Sequence, residues 1–428
     1  MGRRNRLRAR RFGVVFTRRF ATTSGAITLG LVALMFARNA DDAQRVFAWA
    51  VSRWPFAPLL VTPAAFALIV YITRTWAPES RGSGIPQVIA GAHNPDAPRQ
   101  AALTSLRTAG FKYILTLAVL LVGGSAGREG PTVQISAAIM KATHRLLGVD
   151  LTSAVIIAGG AAGVSAAFNT PLAGVAFAIE ELASAYEQRL AVLVMGAVMM
   201  SGLVSLGLAG DYLYFGAMHD VVTLNGALLI CPIAGVFGGL CGGVFSRAIL
   251  AFGATTWRPI AEIRTRPIAW AAACGLLIAV FGVASGGKTW GAGYETARAI
   301  IETHGQPLWF GPAKMIVTLL TTLSGAPGGI FAPSLSAGAG LGTVLATWFP
   351  TEPAGAVAIL GMIGFFVGVI RSPLTAVFII SEMTDSRTMI LQLVATAIVA
   401  DGVSAIVCRE RLYHGLAKAF RASAEAAT

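Results

Sequence analysis

Three short runs in the sequence share one design: Gly82-Ser83-Gly84-Ile85-Pro86, Gly127-Arg128-Glu129-Gly130-Pro131 and Gly329-Ile330-Phe331-Ala332-Pro333. Each is a glycine-rich loop that ends in proline. Proline suits the first turn of a helix, because the N–H it lacks would be unpaired there anyway. A loop feeding a helix N-terminus presents unspent backbone amides and the positive end of the helix dipole. Such an end binds an anion without a fixed cationic side chain. For an ion that must leave again this matters, since a full lysine charge at membrane depth would hold it too firmly. Any one of the loops alone reads as a tight turn. Three together, in an apolar chain, read as an anion site.

A fourth run invites different chemistry. Gly282-Val283-Ala284-Ser285-Gly286-Gly287-Lys288-Thr289 matches the phosphate-cradling pattern GxxxxGK[ST]. A working phosphate loop follows a buried strand in an α/β domain. Here the run follows an apolar, membrane-like stretch and leads into Trp290, Gly291 and Gly293. A membrane-bound nucleotide hydrolase resting on Lys288 is therefore only a remote alternative. Gly124 to Gly130 approaches a dinucleotide fingerprint but lacks its strand. The four cysteines (Cys231, Cys241, Cys274, Cys408) and five histidines fit no metal-ligand spacing, so no metal is expected.

The elements that must carry these loops are apolar. Of 428 residues, 55% are hydrophobic and 12% charged, about half the charge of a soluble domain. Lipid must be the solvent for much of the surface. The net charge of +13 does not imply nucleic acid: Arg3, Arg4, Arg6, Arg8, Arg10 and Arg11, then Arg18 and Arg19, precede the first apolar stretch, where cytoplasmic basic residues belong. Apolar stretches run from about residues 23–36, 55–72, 113–124, 190–208, 227–245, 268–284, 315–323, 354–370 and 390–407. Several fall short of the roughly 20 residues a straight span requires. Glycine, 49 residues in all, punctuates them and lets helices approach closely. Short, interrupted segments are expected where half-helices meet around a buried site.

An internal repeat organises them. Residues 127–131 correspond to 329–333, and Asn169 to Glu180 correspond to Arg371 to Glu382; 131 to 333, 171 to 373 and 180 to 382 are each a step of 202. Duplicated halves with interrupted helices mark secondary transporters and related channels. The repeat also separates the acids. Glu129 is matched by Phe331, so the loop does not require a carboxylate. An acid facing an anion path is unfavourable unless it has a task. Ionised, Glu129 is expected to occupy an anion position; protonated, it leaves and admits the anion, and burial favours that neutral form. The competing role is an ion pair with Arg128. Glu180 is matched by Glu382 and both read as structural, whereas Glu181 is matched by Met383 and is specific to one half. A solvated helix end near Tyr186, Glu187 and Arg189 is the plainer reading of Glu181.

The set GSGIP, GREGP, GIFAP and a tyrosine near the C-terminus, Tyr413, resembles the CLC family of chloride channels and chloride/proton exchangers, over about Thr23 to Tyr413. The resemblance implies that Ser83 and Tyr413 offer hydroxyls to a central chloride and that the backbone amides of Ile330 and Phe331 complete its shell. Gly82, Gly84, Pro86, Gly127, Arg128, Gly130, Pro131, Gly329 and Pro333 would shape the supporting loops. Glu129 falls on the external gate and Glu181 on the internal proton-transfer position of exchangers. Ser83 alone would serve a turn, and Tyr413 alone an interfacial belt.

The expected fold is an all-α polytopic membrane protein of two inverted repeats with many tilted and broken helices. Residues 1–22 form a basic cytoplasmic segment, 23–210 and 211–408 the two membrane repeats, and 409–428 a cytoplasmic-side segment carrying Tyr413. The expected function is chloride/proton antiport gated by Glu129, by a secondary transporter rather than an enzyme; the alternative is a passive pH-gated chloride channel. The intact GSGIP loop with Ser83 disfavours a fluoride specialist. Bound chloride but no cofactor, a homodimer, and a multi-pass place in a cell inner membrane complete the expectation. The chain ends about fifteen residues beyond Tyr413, which leaves no room for the CBS pair of longer relatives and suits a short prokaryotic form.

Overall fold

A computed structural model describes residues 2–95, 97–182, 188–210, 213–302 and 305–425. Among these the regular elements are all helices, joined by loops, and an isolated antiparallel bridge links Gly127 and Gly329. Six of the described helices are long and apolar enough to cross a membrane: 15–53, 58–76, 191–209, 224–254, 267–284 and 387–407. Between them lie shorter apolar helices, Ser153–Phe168, Phe310–Leu323, Phe331–Ala346, Ala354–Ile370 and Pro373–Met383. At 1.5 Å per residue none of these short helices spans a hydrocarbon core of about 30 Å unaided. They end inside the protein. The basic run and the first apolar stretch form one helix, Gly2–Arg53, without a break at residue 22; the side chains of Arg3 to Arg11 lie outside the described residues.

The helices match across the repeat: Glu129–Leu146 with Phe331–Ala346, Ser153–Phe168 with Ala354–Ile370, and the helix from Pro171 with that from Pro373. Asn169 and Arg371, 202 residues apart, both close their helix in the left-handed conformation at φ 58. Glycine permits the closest crossing. A Cβ added at Gly361 would sit 2.3 Å from the Cα of Gly342, so helices 331–346 and 354–370 touch backbone to backbone there.

Two further correspondences lie outside the sequence-level repeat. Lys112 and Lys314, also 202 apart, are both fully buried. Lys112 donates to the carbonyls of Ser80 and Gly82, and Lys314 to those of Thr289 and Gly291. Each lysine therefore holds the loop before a short helix, Ile85–His93 in one half and Tyr294–Ile301 in the other. Those helices start at Gly84 (φ 108) and Gly293 (φ 86), a conformation that a side chain would strain. The second half thus has its own counterpart of the GSGIP loop, Gly291-Ala292-Gly293-Tyr294-Glu295, displaced by 209 residues rather than 202.

Candidate functional site

The three proline-ended loops meet. Gly127 and Gly329 exchange backbone hydrogen bonds at 2.7 and 2.8 Å, and the Gly328 amide donates to the Gly82 carbonyl at 3.0 Å. Each loop opens a helix, with Pro86, Pro131 and Pro333 in the first turn and all three buried. Gly84 and Gly130 pack so closely that a Cβ on Gly84 would fall 2.7 Å from the Gly130 carbonyl oxygen. Among the described residues, the amides of Ile330 and Phe331 donate no backbone hydrogen bond. The first N–H groups of the helix Phe331–Ala346 are thus unspent, at the positive end of its dipole.

Two hydroxyls join them. Ser83 Oγ and Tyr413 OH are near enough to influence each other. Both are buried, and among the described residues neither makes a hydrogen bond of good distance and angle. An isolated buried hydroxyl is costly unless something binds it. Tyr413 comes from the helix Leu412–Glu425 and is held against Phe331, ring centroids 5.9 Å apart. Phe331 itself sits among Phe168, Phe177 and Phe366 at 5.9, 6.0 and 5.1 Å. Its ring anchors the loop in the core while its amide stays available.

Glu129 takes the place that Phe331 holds in the other half and is fully buried. It does not pair with Arg128. The Arg128 guanidinium turns away to Asp41 Oδ1 at 2.7 Å and the Ala37 carbonyl at 2.6 Å, both on the first helix. It lies over the rings of Tyr214 and Tyr294, at 5.0 and 5.5 Å. Glu129 Oε1 accepts a hydrogen bond from the Tyr294 hydroxyl, and among the described residues its Oε2 has no partner. Tyr294 escapes sequence reading because its loop is out of step with the repeat. The signal that could have found it is the pair Gly291 and Gly293 before a short helix.

Glu180 and Glu382 behave as a matched pair across the repeat. Glu180 accepts from the amides of Leu374 and Thr375 at 3.1 and 2.8 Å and from the Thr375 hydroxyl at 2.8 Å. Glu382 accepts from the amide of Ala173 at 3.2 Å. Each acid caps the opposite half's helix, a structural task.

Glu181 differs. The helix from Pro171 widens into a π-turn at Ala178–Leu182, a distortion frequent at functional positions; its counterpart Pro373–Met383 stays regular. Within this turn Glu181 is buried, and its Oε2 accepts from the Ser372 hydroxyl at 2.6 Å. A solvated setting for Glu181 is overturned by that burial. Tyr186 and Glu187, and the side chain of Arg189, lie outside the described residues. Lys288 bonds Gln306 at 2.7 Å, and the helix Pro267–Ala284 precedes its loop where a phosphate loop needs a strand.

The family described as voltage gated chloride channel matches residues 65–405. The H(+)/Cl(-) exchange transporter ClcA of Yersinia pseudotuberculosis serotype IB (strain PB1/+) is 32% identical over 426 residues, covering 92% of this chain and 86% of that protein. The transporter of the same name from Yersinia pestis matches with the same identity and coverage. Among solved structures, a slow cyanobacterial Cl-/H+ antiporter is similar with a TM-score of 0.80 and 23% identity, covering 95% of this chain and 98% of that one. A CLC-type fluoride/proton antiporter is similar with a TM-score of 0.78 and 24% identity, covering 94% and 98%. These two likenesses concern the fold.

Proposed function

Because the chain belongs to the voltage gated chloride channel family, we propose that it exchanges chloride for protons across a membrane, as the names of its relatives say of them. The observation that carries the reading is the meeting of two buried hydroxyls, Ser83 and Tyr413, with the amides of Ile330 and Phe331, all without a hydrogen-bond partner among the described residues. These donors are uncharged, so they can bind chloride and still release it. Glu129 gates this site. Ionised, it competes with chloride; neutral, it yields the path and carries a proton. Glu181, buried on the side of Tyr413, passes the proton on.

Exchange rather than passive conduction is favoured by Glu181, a buried acid without a counterpart in the other half. We place the protein in a cell inner membrane as a homodimer with one pathway per subunit. Support for a partner or lipid at its flank comes from exposed apolar residues such as Leu203, Ile398 and Ile406. The test is the reversal potential of the reconstituted protein under crossed chloride and proton gradients. A potential displaced from the chloride equilibrium value is expected for exchange; one that tracks chloride alone would establish the channel, and the absence of halide flux at every pH would sink both.

A further inference from the structure

The proton route to Glu181 needs an opening to water, and Glu181 itself is 1% exposed. One of its oxygens is committed to Ser372. The other, Oε1, has no hydrogen-bond partner among the described residues, and the His414 Nδ1 nitrogen faces it at 3.4 Å, likewise unpartnered. The His414 side chain is 39% exposed. One edge of the imidazole therefore looks into the protein at a buried acid while the ring remains in reach of solvent. We propose that His414 is the proton inlet of Glu181; the proposal rests on the reading of Glu181 as the internal proton carrier.

The step balances without another reactant. Water delivers a proton to Nε2 of the neutral imidazole, and the imidazolium releases the Nδ1 proton to Oε1 of ionised Glu181. A neutral imidazole of the other tautomer remains, and tautomer exchange through solvent resets it. Histidine is suited to this because it changes charge near neutral pH. Ser372 matters to the geometry, since its hydroxyl engages Oε2 and leaves Oε1 uncommitted, 3.4 Å from the ring nitrogen.

Several charged groups around this helix have other partners, whereas among the described residues the Arg421 Nε has none. Glu410 pairs with Lys418, and the Arg411 guanidinium donates to the Glu180 carbonyl at 3.4 Å. Arg371 pairs with Asp401 at 3.1 Å, and Arg81 lies 4.7 Å over the Phe420 ring. Tyr413, the neighbour of His414 in the chain, is buried with its ring against Phe331. Among the described residues, Glu181 is the one carboxylate within ion-pair reach of His414.

The experiment uses the full chain in liposomes, comparing His414→Ala and His414→Gln with the unaltered protein for proton and chloride flux, with and without millimolar imidazole. Proton flux should fall about tenfold or more relative to chloride flux, and imidazole should restore it in the alanine variant. An unchanged proton-to-chloride ratio in both variants overturns the proposal, as does a loss that imidazole leaves untouched. If the alanine variant fails to fold, the glutamine variant decides through the flux ratio. Glu181→Gln is measured alongside: proton flux persisting there defeats the reading of Glu181, whereas uncoupling there with intact His414 variants defeats the inlet alone.

Discussion

The two halves of the molecule share a scaffold and divide the chemistry. Gly127 and Gly329 pair with each other, Glu180 and Glu382 cap each other's helices, and Lys112 and Lys314 hold equivalent loops. Where the halves differ, a titratable or hydroxyl group stands against an inert one. Glu129 faces Phe331 across the repeat, Glu181 faces Met383 and Ser83 faces Ala292. The exception runs the other way: Tyr294 in the second half answers Ile85 in the first and bonds Glu129. Symmetry supplies the frame, and its local breaks fall at the residues to which the proposed function gives roles.

The comparison can be broken at several points. Glu129→Gln should have the largest effect. In the unaltered protein halide flux should rise as pH falls, by up to about tenfold per unit for a single titrating group, and the variant should lose that dependence; retained pH response in flux assays would remove Glu129 as the gate. Glu181→Ala should abolish proton movement while chloride still passes, read by a pH electrode against a chloride electrode. Lys112→Met and Lys314→Met should each destabilise by on the order of 3 kcal/mol, because buried carbonyls lose their donor. Thermal unfolding in detergent would show whether the two costs are similar, as matched staples require.

Glu180→Ala and Glu382→Ala should cost less, about 1–3 kcal/mol each. The first should cost more, because Glu180 has the larger set of bonds. Unfolding midpoints that rank them the other way would contradict equivalent capping. Lys288→Ala, at the false phosphate loop, should stay within about 0.5 kcal/mol and leave flux indifferent to added nucleotide. A nucleotide-dependent change would reopen the hydrolase alternative.

Much of this frame is legible in the sequence because it is written in glycine, proline and spacing. The step of 202 locates two of the three loops and both capping acids. The stretches 354–370 and 390–407 coincide with helices at both ends. Ser153–Phe168 and Phe331–Ala346 are missing from the apolar stretches because alanine, glycine and serine compose much of them; they are packed in protein rather than laid against lipid. The loop at Gly291 is hidden by a seven-residue displacement. The buried lysines would have been another coincidence at 202, and charged residues at membrane depth are pointers in their own right. Side-chain partners such as Tyr294 with Glu129, or Ser372 with Glu181, join residues 165 and 191 positions apart. Only the assembled fold decides them.

The reciprocal hydrogen bonds between Gly127 and Gly329 constrain how the protein can move. Prising the halves apart at that depth would strand two amides and two carbonyls where lipid offers no substitute, an expense of several kcal/mol. Separating the two halves at that point therefore costs more than turning a side chain beside it. The least costly way to vary access beside this pair is to rotate single side chains about a backbone that stays joined.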